Sequence, residues 1–303
     1  MLRPGELLIG DHVPVSHPHL EDGAKGCIPR DYMAMPHRAY ESLQMPVIPR
    51  SEWSERARDM IATESRLSDF RLRGNYGRPI PSLNQNSPTL RLHWGYCWKH
   101  SGTHANMLVR AAMGLPYVAL SAFCGAAIMK HAQNQGGWGA QGLEWSCTKG
   151  DPSQEFWPQQ SVDLKLWTPE CQANALLYRI TETWADTAAP AYSRNLSFEQ
   201  EATCYFCRTP GIKDENWWGH SICGLDMVDG AAQRGVTRGE GGKLLSLHEF
   251  DLAWGMNDSV TGGWGVRIWN SWGDEWGDRG MSVLTGSKAV SDGASAPRVA
   301  TAI

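Results

Sequence analysis

The chain has 303 residues, enough for one large domain or two moderate ones. Hydrophobic residues make up 42% and charged residues 20%, which excludes wholesale disorder. A net charge of −4 leaves no basic excess for nucleic acid or an anionic membrane, and no run of about 18 apolar residues is present to cross a bilayer. Tryptophan is abundant, at 15 against 8 Tyr and 6 Phe, and Gly reaches 32. That composition points to a loop-heavy fold with wide aromatic plugs, not to a helical bundle.

In chain order, residues 1–45 carry Pro4, Pro14, Pro18, Pro29 and Pro36 without sustained periodicity. They read as an extended N-terminal arm lying on the body or on a partner, or as a mobile leader. Residues 51–69 have helical spacing, and residues 73–92, with Gly74, Gly77, Pro79, Pro81 and Pro88, read as loop. A helix follows Cys97, with Met107, Leu108, Ala111 and Ala112 on its apolar face, and stops at Gly114 and Pro116. Ser121–Gln133 is a second helix. Pro169–Asp186 is a third, with Leu176, Leu177, Ile180 and Trp184 as its buried stripe. From about residue 217 short apolar alternations are broken by glycine. Helices first and strands later predict an α+β fold with two packed halves.

The most specific segment is Asn270-Ser271-Trp272-Gly273-Asp274-Glu275-Trp276-Gly277, which follows the strand-like Gly265–Trp269. It closely resembles the asparagine segment of papain-like cysteine proteases, the C1 peptidase family. Gly95-Tyr96-Cys97-Trp98, at the start of a helix, resembles that family's nucleophile. The placement has a physical reason: the thiolate is the attacking species, and a helix N-terminus beside an imidazolium lowers its pKa. Ile48-Pro49-Arg50-Ser51-Glu52-Trp53 is similar to the family's mature-chain opening. Leu120-Ser121 and Asn134-Gln135-Gly136-Gly137 are similar to its Leu-Ser and Asn-Gly-Gly stretches. The resemblance implies that Gly136 and Gly137 line a substrate cleft, where a peptide backbone can approach and pair as an added strand.

The resemblance therefore implies a papain-like two-lobed α+β fold. A helical N-terminal lobe would carry Cys97 at a helix start, and a β-rich lobe would follow. The expected layout is an arm over 1–45, a protease domain over 46–288 with an insertion at about 229–258, and a tail over 289–303.

Two site positions have two candidates each. For the oxyanion donor, Pro81-Ser82-Leu83-Asn84-Gln85 fits the family pattern, but Gln85 stands 12 residues before Cys97, a longer gap than usual; Arg91 stands at the usual spacing. For the base, His220 has fitting neighbours in Trp217-Trp218-Gly219-His220-Ser221-Ile222. His248 lies 22 residues before Asn270, the better spacing, within Ser246-Leu247-His248-Glu249, which reads as a helix capping box. His220 and Gln85 rank first. The other histidines read as surface or packing residues, with His100 and His104 facing away from the cleft or across it. The implied chemistry is a Cys97–His thiolate–imidazolium pair oriented by Asn270, with Trp272 covering the His–Asn bond.

Several departures from the family are visible. Trp94 replaces the Cys that secreted members carry three residues before the nucleophile, and the arm lacks the long charged helices of an inhibitory propeptide. With no basic leader before an apolar run, no signal peptide is expected, and the eight cysteines are expected to be reduced. This fits a divergent cytoplasmic or phage-type member. Cys204 and Cys207 lack further ligands at zinc spacing, so no metal and no cofactor is expected. The expected function is a cysteine-type peptidase acting on a protein or peptide, without nucleic-acid or membrane partners. The alternative is a catalytically weak or inactive papain-like structural or binding protein, including one associated with a virion. A peptidoglycan-type amidase ranks last.

Overall fold

The computed structural model describes residues 3, 6–9, 50–74, 77–87, 92–180, 183–185, 205–207, 220–229, 237–238, 244–245, 264–284 and 294–297. His248, Arg91 and most of the expected insertion at 229–258 lie outside these residues.

A short strand β1 (Leu7–Ile9) precedes two helices, α1 (Trp53–Ala62) and α2 (Leu67–Arg73). The single helix expected over 51–69 is broken because Glu64 takes a left-handed backbone at φ 50°. The chain restarts where Asp69 accepts the Arg66 N–H at 3.2 Å and pairs with the Arg66 guanidinium at 2.7 Å, capping α2. The expected loop over 73–92 contains a hairpin, β2 (Asn86–Ser87) with β3 (Leu92–His93).

Four helices follow: α3 (Cys97–Ala112), α4 (Ala122–Met129), α5 (Gly139–Thr148) and α6 (Pro169–Leu177). Helix α5 was not expected from sequence. It packs against α3 at glycine: a Cβ on Gly142 would stand 2.5 Å from the Trp98 carbonyl oxygen. Helix α6 is shorter than Pro169–Asp186, and Leu176 and Leu177 are 45% and 46% exposed rather than buried. The Tyr178 carbonyl accepts from Asn106 Nδ2 at 2.7 Å, and the Ile180 N–H donates to Ser146 O at 3.2 Å. These bonds pull the chain off the helical path and bury Ile180. Residues Thr183–Ala185 then form strand β4.

The remaining strands are β5 (Tyr205–Cys207), β6 (Ser221–Asp229), the small hairpin β7 (Thr237–Arg238) with β8 (Leu244–Leu245), then β9 (Trp264–Trp269), β10 (Met281–Leu284) and β11 (Ala294–Pro297). The main sheet has the order β1-β10-β9-β6-β5-β11-β4, with β1 parallel to β10 and the other pairs antiparallel. It therefore takes strands from both the expected arm and the expected tail. Glu6, beside β1, is buried against Arg267 of β9 at 2.5 Å, and Arg267 also reaches Asp226 of β6 at 2.9 Å.

The β6–β9 pairing matters for the site. Cys223 faces Trp269 in register, so the residues before β6 and after β9 emerge at the same end of the sheet. Those residues are His220 and Asn270. Helix α3 packs on β6 and brings Cys97 to the same place. Among the described residues no helix is long and apolar enough to cross a membrane.

Candidate active site

Cys97 is the first residue of α3, and Tyr96 before it makes no side-chain cap. The Cys97 and Trp98 N–H groups at the start of the helix point at the sulfur. The Ser221 N–H donates to Cys97 Sγ at 3.4 Å. The side chains of Ser101 and Ser221 share a buried hydrogen bond of 2.7 Å, which ties α3 to the start of β6. Cys97 is 0% exposed. Burial pushes its thiol up to about 12, against the opposing pull of the Ser221, Trp98 and Cys97 N–H groups. Burial thus opposes the depression of the thiol pKa expected at a helix N-terminus.

His220 Nε2 lies 2.7 Å from Asn270 Oδ1. The same oxygen accepts the Ser271 N–H at 2.8 Å, and a backbone amide can only donate. That fixes the orientation of the Asn270 amide and makes His220 Nε2 the donor. In the neutral ring Nδ1 is then the basic nitrogen. Trp272 stacks on His220 with ring centres 5.1 Å apart, and Trp276 meets Trp272 edge-on at 5.3 Å. Asn270 is 0% and Trp272 8% exposed, so the His–Asn bond is shielded from water.

The long interval between Gln85 and Cys97 is taken up by the β2–β3 hairpin. Trp94 N–H returns to Gln85 O at 3.4 Å, and Gln85 Nε2 donates to Trp94 O at 3.0 Å. Ser271 Oγ donates to Gln85 Oε1 at 2.5 Å, and Gln85 N–H donates to Ser271 O at 2.9 Å. Gln85 thus sits between the turn that leads into Cys97 and the segment that follows Asn270. Its amide is oriented by the serine, and one of its two N–H groups is taken by Trp94.

Gly137 is buried against Trp98, the residue after Cys97: a Cβ there would lie 2.5 Å from two carbons of the Trp98 ring. Gly136 beside it is half-buried. Gly137→Ala is expected to displace Trp98 and lower stability by about 1–3 kcal/mol, measured by urea unfolding.

His100 and His104 are not surface residues; both are 0% exposed. His104 stacks on Trp269 at 3.9 Å, and its Nε2 accepts the Leu83 N–H at 3.0 Å. His100 packs edge-on against Phe123, with Nδ1 2.8 Å from Tyr96 O. Burial, with Lys99 and His220 nearby, holds it down at about 3. Ser221 and Ser271, which contact Cys97 and Gln85, carry no functional signature of their own in the sequence. Their only signal was their place beside the candidate histidine and asparagine.

No family model and no curated protein sequence matches the chain. Solved structures do. One is a mite allergen structure from work on antibody cross reactivity between Blo t 1 and Der p 1. It is 10% identical with a TM-score of 0.52, over 91% of this chain and 81% of that one. Another is digestive procathepsin L2 from the larval midgut of Tenebrio molitor, 15% identical with a TM-score of 0.51, over 94% of this chain and 81% of that one. The chain has the papain-like α+β fold.

Proposed function

We propose that this chain is a cysteine peptidase. The observation that carries the reading is the convergence of Cys97, His220 and Asn270 from three separate elements, with the histidine oriented so that Nε2 faces the asparagine. Cys97 passes its proton to His220 Nδ1, and the sulfur attacks a peptide carbonyl carbon. Transfer within the pair leaves the net charge of the buried site unchanged, so it avoids the full cost of ionising the thiol alone. The oxyanion accepts from the Cys97 N–H and from the Gln85 amide group. His220 returns the proton to the leaving amine, and water, deprotonated by His220, hydrolyses the thioester.

His220→Ala should lower kcat/KM on a fluorogenic peptide by about 10³-fold, within the range for loss of a general acid–base. His248→Ala should leave it unchanged. Full activity in His220→Ala, with loss in His248→Ala, would refute the assignment. Asn270→Ala leaves the ring free to turn and should cost about 10²-fold in kcat. One observation favours the non-catalytic alternative: Cys97 is 0% exposed. A chain that holds this fold only to bind or build would show no turnover of any peptide and no dependence of binding on Cys97.

A further inference from the structure

Asn134, outside the catalytic set, grips both sides of Trp94. Its Oδ1 accepts the Gly95 N–H at 2.6 Å, and its Nδ2 donates to His93 O at 2.6 Å. The two bonds demand opposite ends of the amide, so only one orientation satisfies both. Next to it, the Tyr96 hydroxyl donates to Gln133 O at 2.8 Å. From the other side Gln85 Nε2 holds Trp94 O at 3.0 Å. Residues 93–96 are therefore clamped between the segment that runs into Gly136 and Gly137 and the side chain of Gln85, and Cys97 is the next residue. Position 94 is Trp, so no covalent link spans this junction at that position.

We infer that Asn134 is a positioning residue, whose side-chain amide sets the glycine wall relative to Cys97 by hydrogen bonds alone, so that a bound peptide meets the sulfur in register. The inference rests on the peptidase reading. It concerns the relation between wall and nucleophile, not the reactivity of the sulfur itself. A probe that needs both should feel its loss, and a probe that needs only the sulfur should not. Asn134 is exposed, so its replacement leaves the core untouched.

The test compares second-order labelling rates of Cys97 by a peptidyl epoxysuccinate and by iodoacetamide, in wild type, Asn134→Ala and Asn134→Asp. Asn134→Ala should slow the peptidyl probe about 10- to 100-fold, the scale of an ångström-sized misplacement, and leave iodoacetamide near the wild-type rate. In Asn134→Asp a carboxylate still accepts from Gly95 but faces the His93 carbonyl with a second acceptor. Its defect should be largest at neutral pH. Relative to wild type it should shrink as pH falls through the carboxyl range, where the protonated acid can donate to His93 O. Wild-type rates in both variants, or equal slowing of both probes, would overturn the inference. A wild-type protein that reacts with iodoacetamide at Cys97 but never with the peptidyl probe would overturn the peptidase reading and this inference with it.

Discussion

Cys97→Ala is expected to abolish peptide hydrolysis, with a loss of about 10⁵-fold or more, because the bond-forming atom is gone and no neighbouring nucleophile replaces it. The fold should persist, since the side chain is small and the Ser101–Ser221 bond still joins α3 to β6. A second readout reports the burial of this thiol. Burial raises the thiol from an ordinary 9.0 to about 12, so the folded chain holds this proton more tightly than the unfolded one. That contribution to stability is complete below pH 9 and is lost as pH rises from 9 to 12. Denaturant titrations across this window should show wild type losing stability more steeply than Cys97→Ala. Residual hydrolysis in the variant would contradict the assignment, and parallel pH profiles of stability would contradict the burial of the thiol.

The largest expected effect on stability lies two residues further along α3. Lys99 and Asp151 are both 0% exposed and pair at 2.6 Å. Lys99 Nζ also donates to Thr103 Oγ1 at 3.0 Å and Ser146 Oγ at 2.8 Å. Asp151 accepts in turn from Ser146 Oγ at 2.7 Å and from Asn106 Nδ2 at 3.3 Å. Lys99→Met strands the carboxylate among neutral donors and should cost about 3–5 kcal/mol in urea unfolding. Adding Asp151→Leu should recover part of that, because the second change removes the uncompensated charge. A loss under about 1 kcal/mol in Lys99→Met would show that the pair is not closed off from water.

These residues explain why the centre of the fold was hard to read. Helix α3 buries Lys99, His100, Ser101, Thr103, His104 and Asn106, so its apolar periodicity is legible only at its end, around Met107 and Leu108. A helix buried on several sides by polar partners has no solvent face to betray it. Its key partner, Asp151, stands 52 positions away. The β2–β3 hairpin was hidden by its glycine- and proline-rich surroundings, yet it is what lets Gln85 reach the Cys97 turn despite the long interval. Strands β1 and β11 carry no strong alternation; β1 pairs with β10 at one edge of the sheet and β11 bridges β5 and β4, so backbone pairing and not side-chain pattern places them. Helix α6 ended early because tertiary bonds at Tyr178 and Ile180 overrode local propensity. The Asn270 segment was legible because its chemistry is local. A strand, a short polar residue to orient the imidazole and a tryptophan to cover the bond must follow one another directly in sequence.

Several of the fifteen tryptophans and 32 glycines hold defined places around the site. Trp272 covers His220, Trp269 is sandwiched between His104 and the guanidinium of Arg71, and Trp98 fills the space that Gly137 leaves.

Chemical labelling decides whether Cys97 is the nucleophile we propose, made reactive by its partners. Among the cysteines whose burial is described, Cys97, Cys124, Cys171 and Cys223 are buried and Cys147 is the more exposed. Folded protein treated with a peptidyl epoxysuccinate and mapped by peptide mass spectrometry should carry a single adduct, on Cys97, and His220→Ala should lose it. An adduct on Cys147 with none on Cys97 would mean that exposure alone governs reactivity, and it would contradict the catalytic assignment.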